Sequence, residues 1–570
     1  MIPARRTGVT ALCINAFLAM LTGLALRLLF VLQFPAPTGD SGLYLQLARN
    51  WADHHIYGLL LNGQLVPTDL RMPGYPAFLA GVALVFGRSG RAIELSQAGL
   101  DLCTCFLASA LAAALAPSAA RRRVAIAGLW LAATCPFLAN YTAAVLSEVL
   151  AAFLTTAALV FFVLGLKRET TEFPFRGHLL RMTAATATLL GAFLTGVASL
   201  VRPEMPLLLA VAGAVFALRW WRSLGWRKVV LSGVAMSVVF FLPLMPWVAR
   251  NFISLHKLQF SAARYTTTSG EYAPVGYYEW ANTWMVRFRD VYISVWKLDE
   301  EPVMIDDFPA SAFDSPEEKN RVAELFDEYN KTPTLDISPE IDRGFAEIAR
   351  ERTRRHPLRT FLWAPIGRAL TLWFTPRTEI LPIDGKVWPI VDSWEDSHGS
   401  FLTTAGFGAL GYLYPALALA GIWAARRYVR TPSVDPRAPG SHILGSHIED
   451  TPNLWAIALL VVYMLVRTAF LTTVEAPEPR YVVTCYPVIL ALAALCWTPQ
   501  TTVKSDPPGQ TLKSHPADKL SGSRVHSLRK KAESCHSDPA LRDQNDNQST
   551  ISATCLAAGI FDPGVPTLNL

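Results

Sequence analysis

Charge is scarce in this sequence, and so are the short motifs that mark most soluble enzymes. Only 17% of the 570 residues are charged while 52% are hydrophobic, and the mean hydropathy is positive. That balance excludes an ordinary soluble globular protein and indicates a membrane protein with several spans. The eight cysteines include none between 248 and 400, and most lie in apolar runs or near the C-terminus. They form no disulfide framework and no CxxC pair. P-loop, HExxH and GxSxG patterns are missing from the places where they would support nucleotide, zinc or serine chemistry. His54 and His55 are adjacent, so they cannot share one helix face, and they read as the surface of a helix rather than a metal pair. The formal net charge of +6 comes from basic residues in short stretches between apolar runs. Such stretches set membrane orientation, and no nucleic-acid partner is expected.

What is present is a series of apolar runs. The first, Val9 to Phe34, follows Arg5 and Arg6; it is longer than a secretory core and lacks a small-residue cleavage site, so it reads as a retained span. Others lie near 91–116, 124–140, 144–166, 182–200, 205–218, 229–247, 401–425, 453–474 and 481–498, which makes about ten helices. Lipid offers backbone groups no hydrogen-bond partner, which leaves an all-α polytopic bundle as the expected fold class. The segments "RRR" (121–123), "KRETTEFPFRGHLLR" (167–181), "RWWRSLGWRK" (219–228) and "ARRYVR" (425–430) share a side with the N-terminus if the spans alternate. The positive-inside rule then puts both termini in the cytoplasm of a multi-pass protein of the cytoplasmic (inner) membrane.

Residues 1–500 are expected to form the transmembrane domain, with 248–400 as an extracytoplasmic segment. Within it, "SPEEKNRVAELFDEYNKTP" reads as a capped amphipathic helix and "HPLRTFLWAPIGRALTLWF" as an interfacial one. Beyond residue 500 the chain turns Ser-, Pro- and Lys-rich, and 501–570 reads as a disordered cytoplasmic tail.

On the predicted outer side, ionisable residues gather from separate segments: Asp40 in "PTGDSGLYLQLARNW", Asp69 and Arg71 in "PTDLRMPGYP" with Tyr75, Glu148 in "LSEVL", Arg202 and Glu204 in "VRPE", and Glu475, Glu478, Arg480 and Tyr481 in "EAPEPRY". Charge at membrane depth is costly, which makes retained groups candidates for function. Plainer roles compete: anchoring for Glu204, Glu475 and Glu478, a lipid-phosphate contact for Arg71, and helix capping for Asp40. Glu148, at the edge of an apolar helix, needs a partner or a cavity. Guanidinium forks bind phosphate, and a carboxylate beside them can take a proton from a hydroxyl. That combination suits sugar transfer from a polyprenyl-phosphate carrier.

In order and spacing, "GDSGLYLQLARNWADHHIYG", "RMPGYPAFLAG", "LSEVLAAFL", "LVRPEMPLLL", "PWVARNFISLHKLQF" and "EPRYVVTCYPVI" resemble the membrane glycosyltransferases of the GT-C fold, which include the protein O-mannosyltransferases and lipid A aminoarabinose transferases. The resemblance covers residues 10–498 and implies a GT-C type bundle. It implies catalytic roles for Asp40, as base, and Glu148, and substrate binding by Asp69, Arg71, Tyr75, Arg202, Glu204, Arg480 and Tyr481, with Arg71 and Arg480 on the carrier phosphate. Protein O-mannosyltransferases carry Asp-Glu in the first loop, whereas Ser41 follows Asp40 here, which argues against that particular activity.

The expected function is therefore an inverting glycosyltransferase, hexosyl or pentosyl, using a polyprenyl-phosphate-linked donor and a glycan, lipid or protein acceptor at the outer face of the bilayer. No cofactor is indicated; a divalent metal between carboxylates stays open, with no ligand set visible. A transporter or flippase of lipid-linked substrates is the alternative, for which Arg27 inside the first span is the one mid-span charge noted.

Overall fold

The computed structural model describes residues 4–36, 38–167, 171–175, 178–262, 265, 272–298, 301–430 and 454–499. The expected tail, 501–570, and most of "RYTTTSGEY", expected in the outer segment, lie outside them. Each of the ten apolar runs falls in a helix, and the architecture is an all-α bundle with two small hairpins. Among the described residues eight helices are long and apolar enough to cross a membrane: Leu12–Gln33, Gly90–Leu115, Glu148–Gly165, Pro206–Leu224, Trp226–Leu255, His398–Arg427, Leu454–Leu471 and Pro479–Trp497. A ninth span is counted if Arg121–Ala133 and Pro136–Ala143 are taken together across their 51° bend. The bend falls at Pro136, which lacks the N–H that would continue the helix. The remaining run is the shorter helix Ala184–Ser199, and Gly74–Phe86 is a further short apolar helix.

Trp226–Leu255 runs past the expected boundary at 247. Its extra turns are held from the side: Arg250 donates to the carbonyl of Thr68 (2.8 Å) and to that of Tyr57. Inside the bundle, Arg27 and Asp101 are both fully buried and paired at 2.7 Å. The remaining guanidinium hydrogens of Arg27 go to the carbonyls of Gly23, Ala132 and Ala133 and to the Cys105 sulfur. Such a pair is a strut between helices, since every donor is spent on a fixed neighbour.

Two elements shape the segment between spans one and two. Helix Gly39–His54 follows directly, and then the hairpin Gly58–Leu61 with Gln64–Pro67 pairs Gly58 with Pro67 and Leu61 with Gln64. Its two-residue turn is Asn62-Gly63, both at positive φ (50° and 80°), the geometry that matches strand twist in short hairpins. The hairpin was not expected; the Asn-Gly pair between apolar residues was its signal.

In the 248–400 segment, helices Val275–Asn282, Pro316–Lys331 and Pro339–Arg355 close over an aromatic core of Tyr277, Trp280, Phe308, Phe326 and Phe345. The expected capped helix is there, with the Ser315 hydroxyl accepting from the Glu318 amide at 3.2 Å. The expected interfacial helix is Ala364–Phe374 with the turn Arg359–Trp363 before it, and Leu358, Phe361 and Trp363 remain exposed.

Candidate active site

Helix ends converge where the sequence placed its ionisable groups. Asp40 stands in the first turn of Gly39–His54, but it does not cap that helix. Thr38 is the N-cap residue: its amide and hydroxyl both meet the Ser41 hydroxyl, at 3.2 and 2.9 Å. Ser41 also donates to the Val145 carbonyl (3.1 Å), and Ala36 donates to the Ala143 carbonyl (3.1 Å). The residue in the place of a second acid is thus a structural tie that seats Asp40 beside the segment leading into Glu148.

The Asp40 carboxylate is held by two arginines, one on each oxygen. Arg71 reaches Oδ1 at 3.0 Å and Arg480 reaches Oδ2 at 2.9 Å. Arg71 is presented by the segment between the hairpin and helix Gly74–Phe86, whose backbone is pinned by the Tyr57 hydroxyl on the Arg71 carbonyl (2.9 Å). Next along the chain, the Gly74 amide donates to the Leu200 carbonyl at 2.6 Å. A Cβ on Gly74 would stand 2.7 Å from that oxygen, so "PGYP" needs glycine to lie against "VRPE". Arg480 in turn pairs with Glu478, which also accepts from the Tyr481 hydroxyl at 2.9 Å.

A second chain of charges lies alongside. Arg202 pairs with Glu148 at 2.6 Å and approaches Glu204 at 3.7 Å, and Arg467 pairs with Glu204 at 2.7 Å. Arg467 also donates to the Tyr481 carbonyl at 2.7 Å, which ties this chain to the strap bearing Arg480. The Tyr481 ring lies within 5.8 Å of the Arg202 guanidinium and 5.6 Å of that of Arg480. Four guanidiniums therefore face four carboxylates, so the cluster is balanced in charge.

Exposure sorts these groups. Arg71 is 37% exposed and Asp40 25%, Arg480 15% and Arg202 10%, while Glu148 and Arg467 are at 2% and 0%. Asp40 and Arg71 are the groups a ligand can reach, and Glu148 is a floor whose second oxygen, Oε2, is buried without a hydrogen-bond partner. Burial pushes the Asp40 carboxyl up, but Arg480 and Arg71 together outweigh it and hold the group below the usual carboxylate range. Burial likewise opposes the charge on Arg71, and Asp40 more than restores it. Glu204 also stays below its usual range, because Arg467 and Arg202 outweigh its burial.

Of the expected site residues, Asp40, Arg71, Glu148, Arg202, Glu204, Arg480 and Tyr481 meet here. Tyr75 is fully buried and gives its hydroxyl to Gln97 (2.8 Å), which donates to the carbonyls of Thr142 and Ala144. Asp69 pairs with Lys257 at 3.3 Å. Arg467 was not anticipated, although a lone arginine in the run 453–474 was a signal. Nor was Glu379, whose carboxyl accepts from the Tyr141 hydroxyl and is pushed up by burial. Among the described residues no three His, Cys, Asp or Glu side chains are grouped to hold a metal.

No family model and no curated protein matches this sequence. Among solved structures, the chain is similar to the Archaeoglobus fulgidus oligosaccharyltransferase tethered with an acceptor peptide: 14% identity, TM-score 0.42, 85% of this chain and 49% of that one. It is similar to the same organism's AglB with an inhibitory peptide and a dolichol-phosphate, at 13% identity, TM-score 0.40, 85% and 50%. It is also similar to ArnT from Cupriavidus metallidurans bound to undecaprenyl phosphate, at 15% identity, TM-score 0.33, 85% and 76%. The chain spans about half the length of the archaeal chains. At these scores the roles of its residues rest on the geometry above.

Proposed function

We propose that this chain is an inverting glycosyltransferase that moves a sugar from a polyprenyl-phosphate carrier to a hydroxyl acceptor at the outer face of the cytoplasmic membrane. The observation that carries the reading is the Asp40 carboxylate, partly open and clamped between Arg71 and Arg480, above the buried Glu148. A carboxylate so clamped is a weak base. The carrier phosphate competes for the same guanidinium edges, and as it takes them Asp40 regains affinity for a proton. Donor binding therefore prepares the base.

Asp40 then removes the proton of an acceptor hydroxyl, which attacks the anomeric carbon from the face opposite the phosphate. The bond from that carbon to the phosphate oxygen breaks with its electron pair leaving on the phosphate, and the configuration inverts. Glu148, enclosed beneath the site and paired with Arg202, orients the base rather than the acceptor, which its buried oxygen does not reach. For the carrier's tail, the groove of about 760 Å³ lined by Val230, Val234, Val238, Phe241 and Phe260 is apolar. Phe260 lies on the strap whose Ala262 amide meets the Met72 sulfur at 3.2 Å, next to Arg71. The mid-span charge noted for the transporter alternative is not free, since the Arg27 guanidinium is spent on Asp101 and on carbonyls.

The test is transfer of labelled sugar from polyprenyl-phosphate donors to hydroxyl acceptors by the purified protein. The parent transfers, and Arg71→Ala weakens donor use by about 10- to 100-fold, the range for losing a hydrogen-bonded charge partner. Movement of a lipid between leaflets with no sugar released would show a transporter instead.

A further inference from the structure

Tyr44 lies one helical turn beyond Asp40 on Gly39–His54 and shares its face. Its ring packs edge-on against Tyr75, centroids 5.0 Å apart, and Tyr75 is locked in turn through Gln97. The hydroxyl at the far end of this braced ring lies within electrostatic reach of Asp40, Arg71, Glu148 and Arg202, that is, of both charge chains at once. Among the described residues it has no hydrogen-bond partner, yet it is not one of the fully enclosed orphan atoms. A rigid donor one turn from the clamped Asp40, braced by Tyr75 and with nothing to donate to, is shaped for an anionic oxygen. Burial and the charge of Asp40 keep the phenol protonated, so its O–H stays available as a donor.

Resting on the glycosyltransferase reading above, we infer that Tyr44 is a further catalytic residue, whose hydroxyl donates a hydrogen bond to the carrier phosphate while the sugar leaves it. The sugar-linked carrier is a phosphodiester with one negative charge. When the anomeric carbon–oxygen bond breaks, its electron pair adds a second charge to the phosphate, and the acceptor's proton goes to Asp40. A donor on that phosphate is thus worth more at the transition state and in the product complex than in the bound substrate, so its removal lowers kcat more than it raises KM.

The experiment compares the full-length parent with Tyr44→Phe, which keeps the ring on Tyr75 and deletes only the hydroxyl; thermal unfolding at the parent temperature confirms that the packing survives. In Tyr44→Phe, kcat falls about 10- to 100-fold with donor KM within about threefold, and inhibition by undecaprenyl phosphate weakens by a factor similar to the loss in kcat. Parent-like kcat and parent-like inhibition would overturn the inference, and if Asp40→Asn is inactive in the same assay the transferase reading survives that result. If the parent transfers no sugar at all, that reading fails, and direct binding of undecaprenyl phosphate decides for Tyr44: weaker binding by Tyr44→Phe upholds the phosphate contact, and equal binding removes it.

Discussion

Arg480→Gln removes one of the two cations that hold Asp40 and leaves the other, Arg71, in place. Two unit charges about 4 Å apart attract by about 4 kcal/mol at an effective dielectric of about 20. Asp40 is a quarter exposed, and solvent together with the cost of desolvating both partners cuts the net effect to about 1–2 kcal/mol. That is about one pKa unit. The sign follows from the direction of the existing shift. The Asp40 carboxyl is held below its usual range by Arg480 and Arg71, so losing Arg480 lets it rise. The pH dependence of kcat/KM reports the base in the free enzyme. Its acid limb should lie below the usual carboxylate range in the parent and move up by about one unit in Arg480→Gln. Because Arg480 also pairs with Glu478, the double variant Arg480→Gln/Glu478→Gln removes both members of that pair and should show the same displacement. An acid limb that stays in place in a folded, active variant would refute the clamp on Asp40.

Two further outcomes test the frame around the site. Arg27→Leu leaves Asp101 buried and unpaired and should cost about 3–5 kcal/mol, whereas Arg27→Leu/Asp101→Leu recovers most of it; thermal or denaturant unfolding in detergent measures both. Gly74→Ala drives a methyl against the Leu200 carbonyl and should cost about 1–3 kcal/mol, with transfer activity falling as Arg71 and "VRPE" are pushed apart.

The helices were legible because apolar runs of membrane length leave the backbone little choice, and the outer cluster was legible because charge at span ends is costly to keep. Asp40 was identified with helix capping still competing; only coordinates show that Thr38 and Ser41 share that task and leave the carboxylate to the arginines. Arg480 is one of the two direct partners of Asp40. Its distance in sequence hid this, since 440 residues separate two groups 2.9 Å apart. Sequence distance likewise conceals the bond of Arg467 to Glu204 and that of Arg27 to Asp101. Tyr44 carried no signal, because a tyrosine in an amphipathic helix is ordinary until its hydroxyl is seen to lack a partner.

The central claim, that Asp40 is the base of a sugar transfer, is tested most directly by single-turnover consumption of a labelled polyprenyl-phosphate sugar by Asp40→Asn. The account predicts that the variant folds and binds donor but transfers at least about 100-fold more slowly than the parent, the scale of a lost general base. Transfer at the parent rate by a folded Asp40→Asn protein would contradict it.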